Sequence, residues 1–207
     1  MNRFRYYVIT LTILFFAAPA AAQFSVGVIA GANFANLSLT DDGEDEDTNR
    51  RTTFGGGIVA DFMLGPDMVV SFQPMILGKG AEQDETENFF EAEIKLSYIE
   101  LPILFRYLFG SGNVRPFVEA GPSIGFLSSA EVEFGDGDEI DIENQVKSTD
   151  FSIVFGGGAE LPVGNNSAFV VFRYAAGLSN VGEDADDDDD LKTKGIMFGF
   201  KVPIGNN

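Results

Sequence analysis

Hydrophobic and polar residues alternate along most of this chain with a period of two, and no stretch after residue 22 keeps a helical period over three turns. A period of two is typical of β-strands, whose successive side chains point to opposite faces of a sheet. In residues 92–109, Glu100 and Arg106 share one face, and five apolar side chains share the other: Ile99, Leu101, Ile103, Phe105 and Tyr107. The pattern predicts eight strands, at about residues 24–39, 53–64, 68–79, 92–109, 114–129, 148–162, 168–181 and 193–205.

The connections between these strands are alternately long and short. Four long connections hold 27 of the 32 acidic residues, at 41–47, 82–93, 131–150 and 183–190. Three tight turns, at 65–67, 110–113 and 163–167, lie between them. Short turns at one end and long loops at the other are typical of outer-membrane barrels. We therefore predict an all-β fold, an eight-stranded antiparallel up-and-down transmembrane β-barrel with four long acidic outer loops and three short periplasmic turns, so that those 27 acids lie at or beyond the outer rim.

Alternation alone does not exclude a soluble β-sandwich or a lipocalin, so the polar face decides between the alternatives. In a soluble fold that face meets water and carries many charges, whereas here it carries few charges and many glycines. This composition fits the crowded interior of a small barrel, where an unpaired buried charge is costly. We predict a filled lumen with a salt-bridge network made of seven residues: Asp61, Glu100, Arg106, Glu119, Glu160, Arg173 and Lys201.

The first 22 residues have the pattern of a secretory signal peptide. Arg3 and Arg5 precede an apolar run at residues 8–18, and three alanines at 20–22 precede Gln23. The apolar run is too short to cross about 30 Å of hydrocarbon as a helix. We therefore predict a cleaved leader at 1–22 and one outer-membrane β-barrel domain at 23–207.

Composition narrows the range of possible functions. The formal net charge is −19, which disfavours binding to nucleic acid. The chain contains neither cysteine nor histidine, so thiol chemistry and serine–histidine hydrolysis are excluded. Glu100, Glu119 and Glu160 favour structural pairing over catalysis, because basic residues are expected beside them. We predict no catalytic residues, and we expect that the protein is not an enzyme.

The acidic connections are rich in the oxygen ligands that Ca²⁺ and Mg²⁺ prefer. They match neither the EF-hand loop nor the glycine-rich nonapeptide repeat, and a charge run is usually a solvated segment. A solvated loop, diffuse divalent binding and, least favoured, a defined site all remain open, with no defined metal and no cofactor predicted. The residues concerned are Asp41, Asp42, Glu44, Asp45, Glu46, Asp47, Asp186, Asp187, Asp188, Asp189 and Asp190.

Two neighbouring segments carry a resemblance to a known family. They are SYIELPILFRYLF at 97–109 and VRPFVEAGPSIGF at 114–126. This pair resembles the hairpin of the PorT-like outer-membrane β-barrel family of Bacteroidetes-type bacteria, whose barrels are of the size of OmpX and OmpA. The matching residues are Tyr98, Glu100, Leu101, Pro102, Arg106 and Tyr107 in the first strand, and Pro116, Phe117, Gly121 and Pro122 in the second. The resemblance implies both chain ends in the periplasm and, from the family's namesake, an accessory role in secretion.

These observations favour a non-enzymatic outer-membrane protein with a role in membrane integrity, surface interaction or secretion. The expected partners are outer-membrane lipid and lipopolysaccharide, the barrel-assembly machinery during insertion, and an envelope secretion or surface partner. Two alternatives stay open: a narrow cation-selective pore with the acidic loops as its funnel, and a soluble periplasmic lipocalin-like binding protein.

Overall fold

The computed structural model describes residues 24–41, 44–83, 92–134, 138–164, 166–182 and 190–204. In these residues the chain forms eleven β-strands and one turn of 3₁₀ helix, Glu143–Gln145. The strands are β1 Phe24–Asp41, β2 Glu44–Asp47, β3 Arg51–Met63, β4 Met68–Phe72, β5 Met75–Gln83, β6 Ala92–Leu108, β7 Arg115–Phe134, β8 Glu139–Asp141, β9 Thr149–Val163, β10 Asn166–Gly177 and β11 Asp190–Pro203. No helix among the described residues is long and apolar enough to cross a membrane.

The strands pair antiparallel into one sheet that closes on itself. The ring runs from β1 to β3, to β4 and β5 together, and then through β6, β7, β9, β10 and β11. It closes where β1 pairs with β11, from Gly27 opposite Pro203 to Thr40 opposite Asp190. The ring therefore passes through eight positions, and closure leaves its wall without a free edge.

The third strand of the ring is not continuous, although the sequence predicts one strand at 68–79. β4 ends at Phe72 and β5 begins at Met75. Between them lies Pro74, which has no N–H group to donate to a neighbouring strand. Its carbonyl oxygen still accepts a hydrogen bond of 3.0 Å from the N–H of Ile58. The missing donor thus divides the strand without opening the wall.

Two short strands lie outside the ring, at the end that carries the long connections. β2 pairs with the last residues of β1, from Ser38 opposite Asp47 to Asp41 opposite Glu44. β8 pairs with Glu131, Val132 and Glu133 of β7. The sequence predicts connections at 41–47 and in the part of 131–150 that holds β8, but the described backbone there continues the β-structure beyond the ring. We call this the loop end and the opposite one the turn end.

Apolar side chains cover the outside of the ring. The exposed large hydrophobic residues come from every strand of the ring and include Phe54, Ile58, Phe105, Phe155, Phe172, Phe198 and Phe200. An apolar surface of this extent is unfavourable in water, and it fits the lipid-facing band of a membrane barrel. The inward face carries the buried polar and charged residues, as the alternation in the sequence predicts.

The inward-facing glycines allow neighbouring strands to approach closely. A Cβ atom on Gly57 would lie 2.1 Å from the carbonyl oxygen of Pro74 and 2.5 Å from the Cα of Met75. The adjacent Gly56 points outward, and its nearest neighbour would be the carbonyl oxygen of Ile29 at 3.3 Å. The glycine run at 55–57 therefore reflects the crowding inside a narrow barrel.

We predict that Gly57→Ala destabilises the folded barrel by about 1–3 kcal/mol, because the new methyl group overlaps the backbone of Pro74 and Met75. The matched variant Gly56→Ala adds the same methyl group on the outside and is expected to be neutral or slightly stabilising. Urea-unfolding midpoints in detergent, read from the heat-modifiable migration of the barrel, measure the difference. Equal midpoints for the two variants would contradict this account of the inward glycines.

Candidate functional site in the barrel lumen

Nine charged side chains are buried in the described residues, and they form two clusters in the lumen. The turn-side cluster contains Asp61, Arg106, Glu119, Glu160, Arg173 and Lys201. The loop-side cluster contains Lys79, Glu100 and Asp150. Each of these residues points inward because the alternation along its strand turns its neighbours toward lipid.

Glu119 binds two arginines at the centre of the turn-side cluster. Nε and Nη2 of Arg106 both donate to Glu119 Oε2 at 3.0 Å. Arg173 Nε donates to Glu119 Oε1 at 2.5 Å. Arg106 and Glu119 are opposite each other on β6 and β7, so strand register brings these two together directly. Charge-assisted hydrogen bonds of this kind are stronger than neutral ones.

Asp61 binds the lysine of the last strand. Lys201 Nζ lies 2.5 Å from Asp61 Oδ2, and the Ser71 hydroxyl donates to Asp61 Oδ1 at 2.5 Å. Arg106 Nη1 lies farther away, 3.7 Å from Asp61 Oδ2 and 3.8 Å from Glu160 Oε2. Glu160 is thus the most weakly paired acid of this cluster.

Two aromatic rings face the Arg106 guanidinium. Its Cζ lies 4.6 Å from the ring centre of Phe117 and 4.2 Å from that of Phe169. The two rings meet edge to face at 5.6 Å. Arginine over aromatic faces gains cation–π attraction, and the rings exclude water from its charged contacts. Arg106 is fully buried within this assembly.

Lys79 binds both acids of the loop-side cluster. Its Nζ lies 2.6 Å from Glu100 Oε1 and 2.8 Å from Asp150 Oδ2. Asp150 also accepts hydrogen bonds from the hydroxyls of Thr193 at 2.7 Å and Ser179 at 2.8 Å. One ammonium group therefore serves two carboxylates, and neutral hydroxyls complete the solvation of the second.

The structure places all seven residues of the sequence-predicted network in the lumen, but it divides them. Glu100 belongs to the loop-side cluster, away from the other six. The pattern missed its two partners, Lys79 and Asp150. Lys79 stands at the end of the predicted strand 68–79 but lies in the middle of β5, and Asp150 is the second residue of β9. Assigning Asp150 to an acidic outer connection was wrong: it lies on β9 with only 1 % of its surface exposed. Its signal was its inward position, two residues before Ser152 and in phase with it.

Apolar residues close the loop end of the lumen. Leu37, Ala81, Leu96, Tyr98 and Ala130 form a buried cluster. Ile142 and Val146 from beyond the ring pack against it, as does Leu191 of β11. Backbone hydrogen bonds hold the covering segments together: Lys147 N–H donates to the carbonyl of Val181, and Val181 N–H donates to that of Leu191, both at 2.8 Å. A second apolar cluster, which includes Phe117 and Phe169, also lies in the lumen. Apolar groups and ion pairs together occupy much of the interior.

Six of the eleven acidic residues proposed for diffuse divalent binding lie in the part of the chain that the structure describes. Asp42 and residues 186–189 lie outside the described residues. Asp41, Glu44–Asp47 and Asp190 lie in strands β1, β2 and β11. Within the described part of the chain, no group of three or more acidic side chains is arranged to hold a metal ion.

Comparison with known proteins identifies the class to which this closed, ion-paired barrel belongs. Residues 16–183 match the family model described as outer membrane protein beta-barrel domain. The chain therefore belongs to this family, and the protein is located in the outer membrane. No protein with a curated description matches the chain in sequence.

Solved structures of outer-membrane proteins are similar to this chain at low sequence identity. Neisserial surface protein A is 16% identical, with a TM-score of 0.50 over 88% of this chain and 99% of its own. Ail of Yersinia pestis is 14% identical, with a TM-score of 0.45 over 88% and 99%. OprG of Pseudomonas aeruginosa is 13% identical, with a TM-score of 0.42 over 87% and 97%. The likeness to the neisserial protein shows the fold alone.

We predict that Lys79→Met strongly destabilises the barrel, by about 3–5 kcal/mol, because it leaves Glu100 and Asp150 buried without a cation. Lys95→Met is the matched control. Lys95 also pairs with two acids, Glu133 and Glu139, but its side chain is 27% exposed, against 6% for Lys79. We expect the control to cost at most about 1 kcal/mol. Urea-unfolding midpoints in detergent provide the measurement, and comparable losses for both variants would contradict the distinction.

Proposed function

We propose that this protein is a non-enzymatic outer-membrane barrel with a closed lumen, which acts through the surface at its loop end. In this proposal it contributes to membrane integrity, surface interaction or secretion, and the loop end faces outward. The observation that carries the proposal is the packing of side chains inside the barrel. Two ion-paired clusters and two apolar clusters occupy the lumen, and the described segments beyond the ring cover its loop end.

The loop end is the part of the barrel best suited to contact partners. β2 and β8 extend the sheet there beyond the ring. The bridge between Val146 and Gly182 joins two separate connections into one surface. Four connections of this surface hold most of the acidic residues of the chain. A built surface above a filled lumen favours recognition over transport.

The absence of histidine and cysteine from the sequence supports a non-enzymatic role. Buried acids of the lumen are bound to lysine, arginine or hydroxyl groups, which stabilise a structure rather than activate a nucleophile. The proposed partners are outer-membrane lipid and lipopolysaccharide around the wall, the barrel-assembly machinery during insertion, and a surface or secretion partner at the loop end. We also propose that the chain belongs to the PorT-like branch of the family, on the strength of the 97–126 hairpin.

The narrow cation-selective pore is the second candidate, and the acidic connections are the observation that favours it. The outer-membrane location replaces the third alternative, a soluble periplasmic binding protein, which was wrong.

We predict that the folded protein gives no steady current in planar lipid bilayers, because ion-paired and apolar side chains obstruct the lumen. Heat-modifiable migration of the same sample shows beforehand that the barrel is folded, and a general porin reconstituted in parallel shows that a pore is detectable. A steady cation-selective current from the folded protein would overturn the closed-lumen proposal in favour of the pore.

A second prediction concerns orientation. The chain has no cysteine, so single cysteines report one position each. Ile140 in β8 is 53% exposed at the loop end, and Leu64 is 55% exposed at the turn end. We expect a maleimide on a large polyethylene glycol to label Ile140→Cys on intact cells. Leu64→Cys is the matched control, and we expect its labelling only after the outer membrane is opened. The reverse pattern would show that the loop end faces the periplasm.

A further inference from the structure

A pocket opens at the turn end of the barrel, at the opposite end of the molecule from the surface of the proposed function. Its volume is about 430 Å³. Pockets that hold small molecules have volumes of roughly 300–1,000 Å³. Gly65 and Pro66 of the first tight turn line this pocket, together with two charged residues, Arg115 of β7 and Glu160 of β9.

Glu160 is the acid of the turn-side cluster that the other residues of the cluster pair least. Both arginines of the cluster donate to Glu119, and the lysine binds Asp61. Arg106 Nη1 lies 3.8 Å from Glu160 Oε2, which is beyond hydrogen-bond distance, and the Ser167 side chain supplies a neutral hydrogen bond. The Glu160 side chain is also 10% exposed, against 3% for Asp61 and 0% for Glu119. A ligand in the pocket can therefore reach this carboxylate.

The cation beside the pocket is already bound elsewhere. Arg115 is opposite Glu160 in the register of β7 and β9, but its guanidinium holds the two neighbouring turns together. Nε donates to the carbonyl of Gly110 at 3.0 Å, and Nη1 donates to that of Pro66 at 2.8 Å. Nη2 donates to the Asp67 carboxylate at 2.6 Å, which matches the charge of the arginine. The pocket thus presents a carboxylate to a ligand rather than a cation.

Apolar side chains form the wall beside this carboxylate. Val69 and Leu108 line the pocket and belong to the apolar cluster that contains Phe117 and Phe169, and Met63 packs against the same cluster. An apolar wall suits methylene groups, and a carboxylate suits a hydrogen-bonding cation. Ca²⁺ and Mg²⁺ need several oxygen ligands, whereas this pocket supplies one carboxylate among apolar groups. The carboxylate also repels an anion.

We propose that the turn-end pocket binds an alkylammonium group, which is a primary ammonium on an aliphatic stem, as in a small amine or a lysine side chain. The ammonium group pairs with Glu160, and the stem packs against Met63, Val69 and Leu108. Binding depends neither on the role of the loop end nor on which end faces outward. In the orientation proposed above, the pocket opens to the periplasm, so its ligand comes from that compartment.

A titration followed by NMR tests the proposal on the folded, ¹⁵N-labelled protein in a non-ionic detergent. The probe is n-butylammonium, and n-butanol is the matched neutral probe because it has the same stem. We expect saturable shifts of the amide signals of Gly65, Val69 and Leu108 with n-butylammonium, and binding of n-butanol that is weaker by about tenfold or more. Equal binding of the two probes would overturn the proposal. Shifts confined to the loop end would overturn it too, because they would reflect only attraction to the acidic connections.

Substitution of the carboxylate provides a second test. We expect Glu160→Gln to weaken n-butylammonium binding by about tenfold or more and to leave n-butanol binding unchanged. Glu139→Gln is the matched control, because it removes the same charge from a side chain that is 53% exposed at the loop end. Heat-modifiable migration shows whether each variant is folded. Unchanged binding of n-butylammonium to folded Glu160→Gln would contradict the proposal, and the two probes still decide on the unaltered protein if that variant does not fold.

A blocked tripeptide with a central lysine distinguishes the two sources of the ammonium group. Tighter binding of the tripeptide than of n-butylammonium would support a lysine side chain of a partner polypeptide. Tighter binding of n-butylammonium would support a small amine. Failure of both to shift the Gly65, Val69 and Leu108 signals would overturn the proposal, and it would leave the closed-lumen proposal to the bilayer measurement.

Discussion

The pairing of β1 with β11 is the constraint on which the rest of the structure depends. Within hydrocarbon no water is present to bind backbone N–H and C=O groups, so an open sheet edge is not tolerated. Closing the sheet through eight positions gives the backbone groups of the edge strands hydrogen-bond partners, but it leaves a narrow interior. The inward face must then be small, as at Gly57, or must consist of side chains that satisfy one another, as at Arg106 and Glu119. Lipid requires the outward face to be apolar.

Much of this architecture could be predicted from local pattern. The alternation around Glu100 and Arg106 assigns each residue to a face, because successive side chains of a strand point to opposite faces of the sheet. The same rule does not help at the ends of the predicted strands, where Lys79 and Asp150 stand, although Lys79 lies in the middle of β5 in the structure. Alternation does not show where a strand begins or ends, so Asp150 was grouped with the acids of a connection. Pro74 divides the third strand, and β2 and β8 extend the sheet, for reasons that involve neighbouring strands.

The pairing of charges was harder to predict than their location. Arg106 and Glu119 are opposite each other on adjacent strands, so their contact follows from register. Glu100 of β6 contacts Lys79 on the adjacent β5, and Lys79 in turn contacts Asp150 on β9, with β7 between β6 and β9. The tilt of the strands determines which residues of different strands lie at the same level of the barrel. Acids and bases on the inward faces can be counted from sequence. Their partners are determined only when the barrel closes.

The Lys201–Asp61 ion pair has a consequence for assembly. It joins residues 140 positions apart, on the last and the second strands of the ring, across the strand that lies between them. Until β11 docks, Asp61 lacks its lysine and Lys201 lacks its carboxylate, so a partly formed sheet holds unmatched charges at its seam. The final strand therefore completes the electrostatics as well as the wall. This arrangement makes closure cooperative. A barrel that lacks its last strand loses both the β1–β11 pairing and the Lys201–Asp61 ion pair.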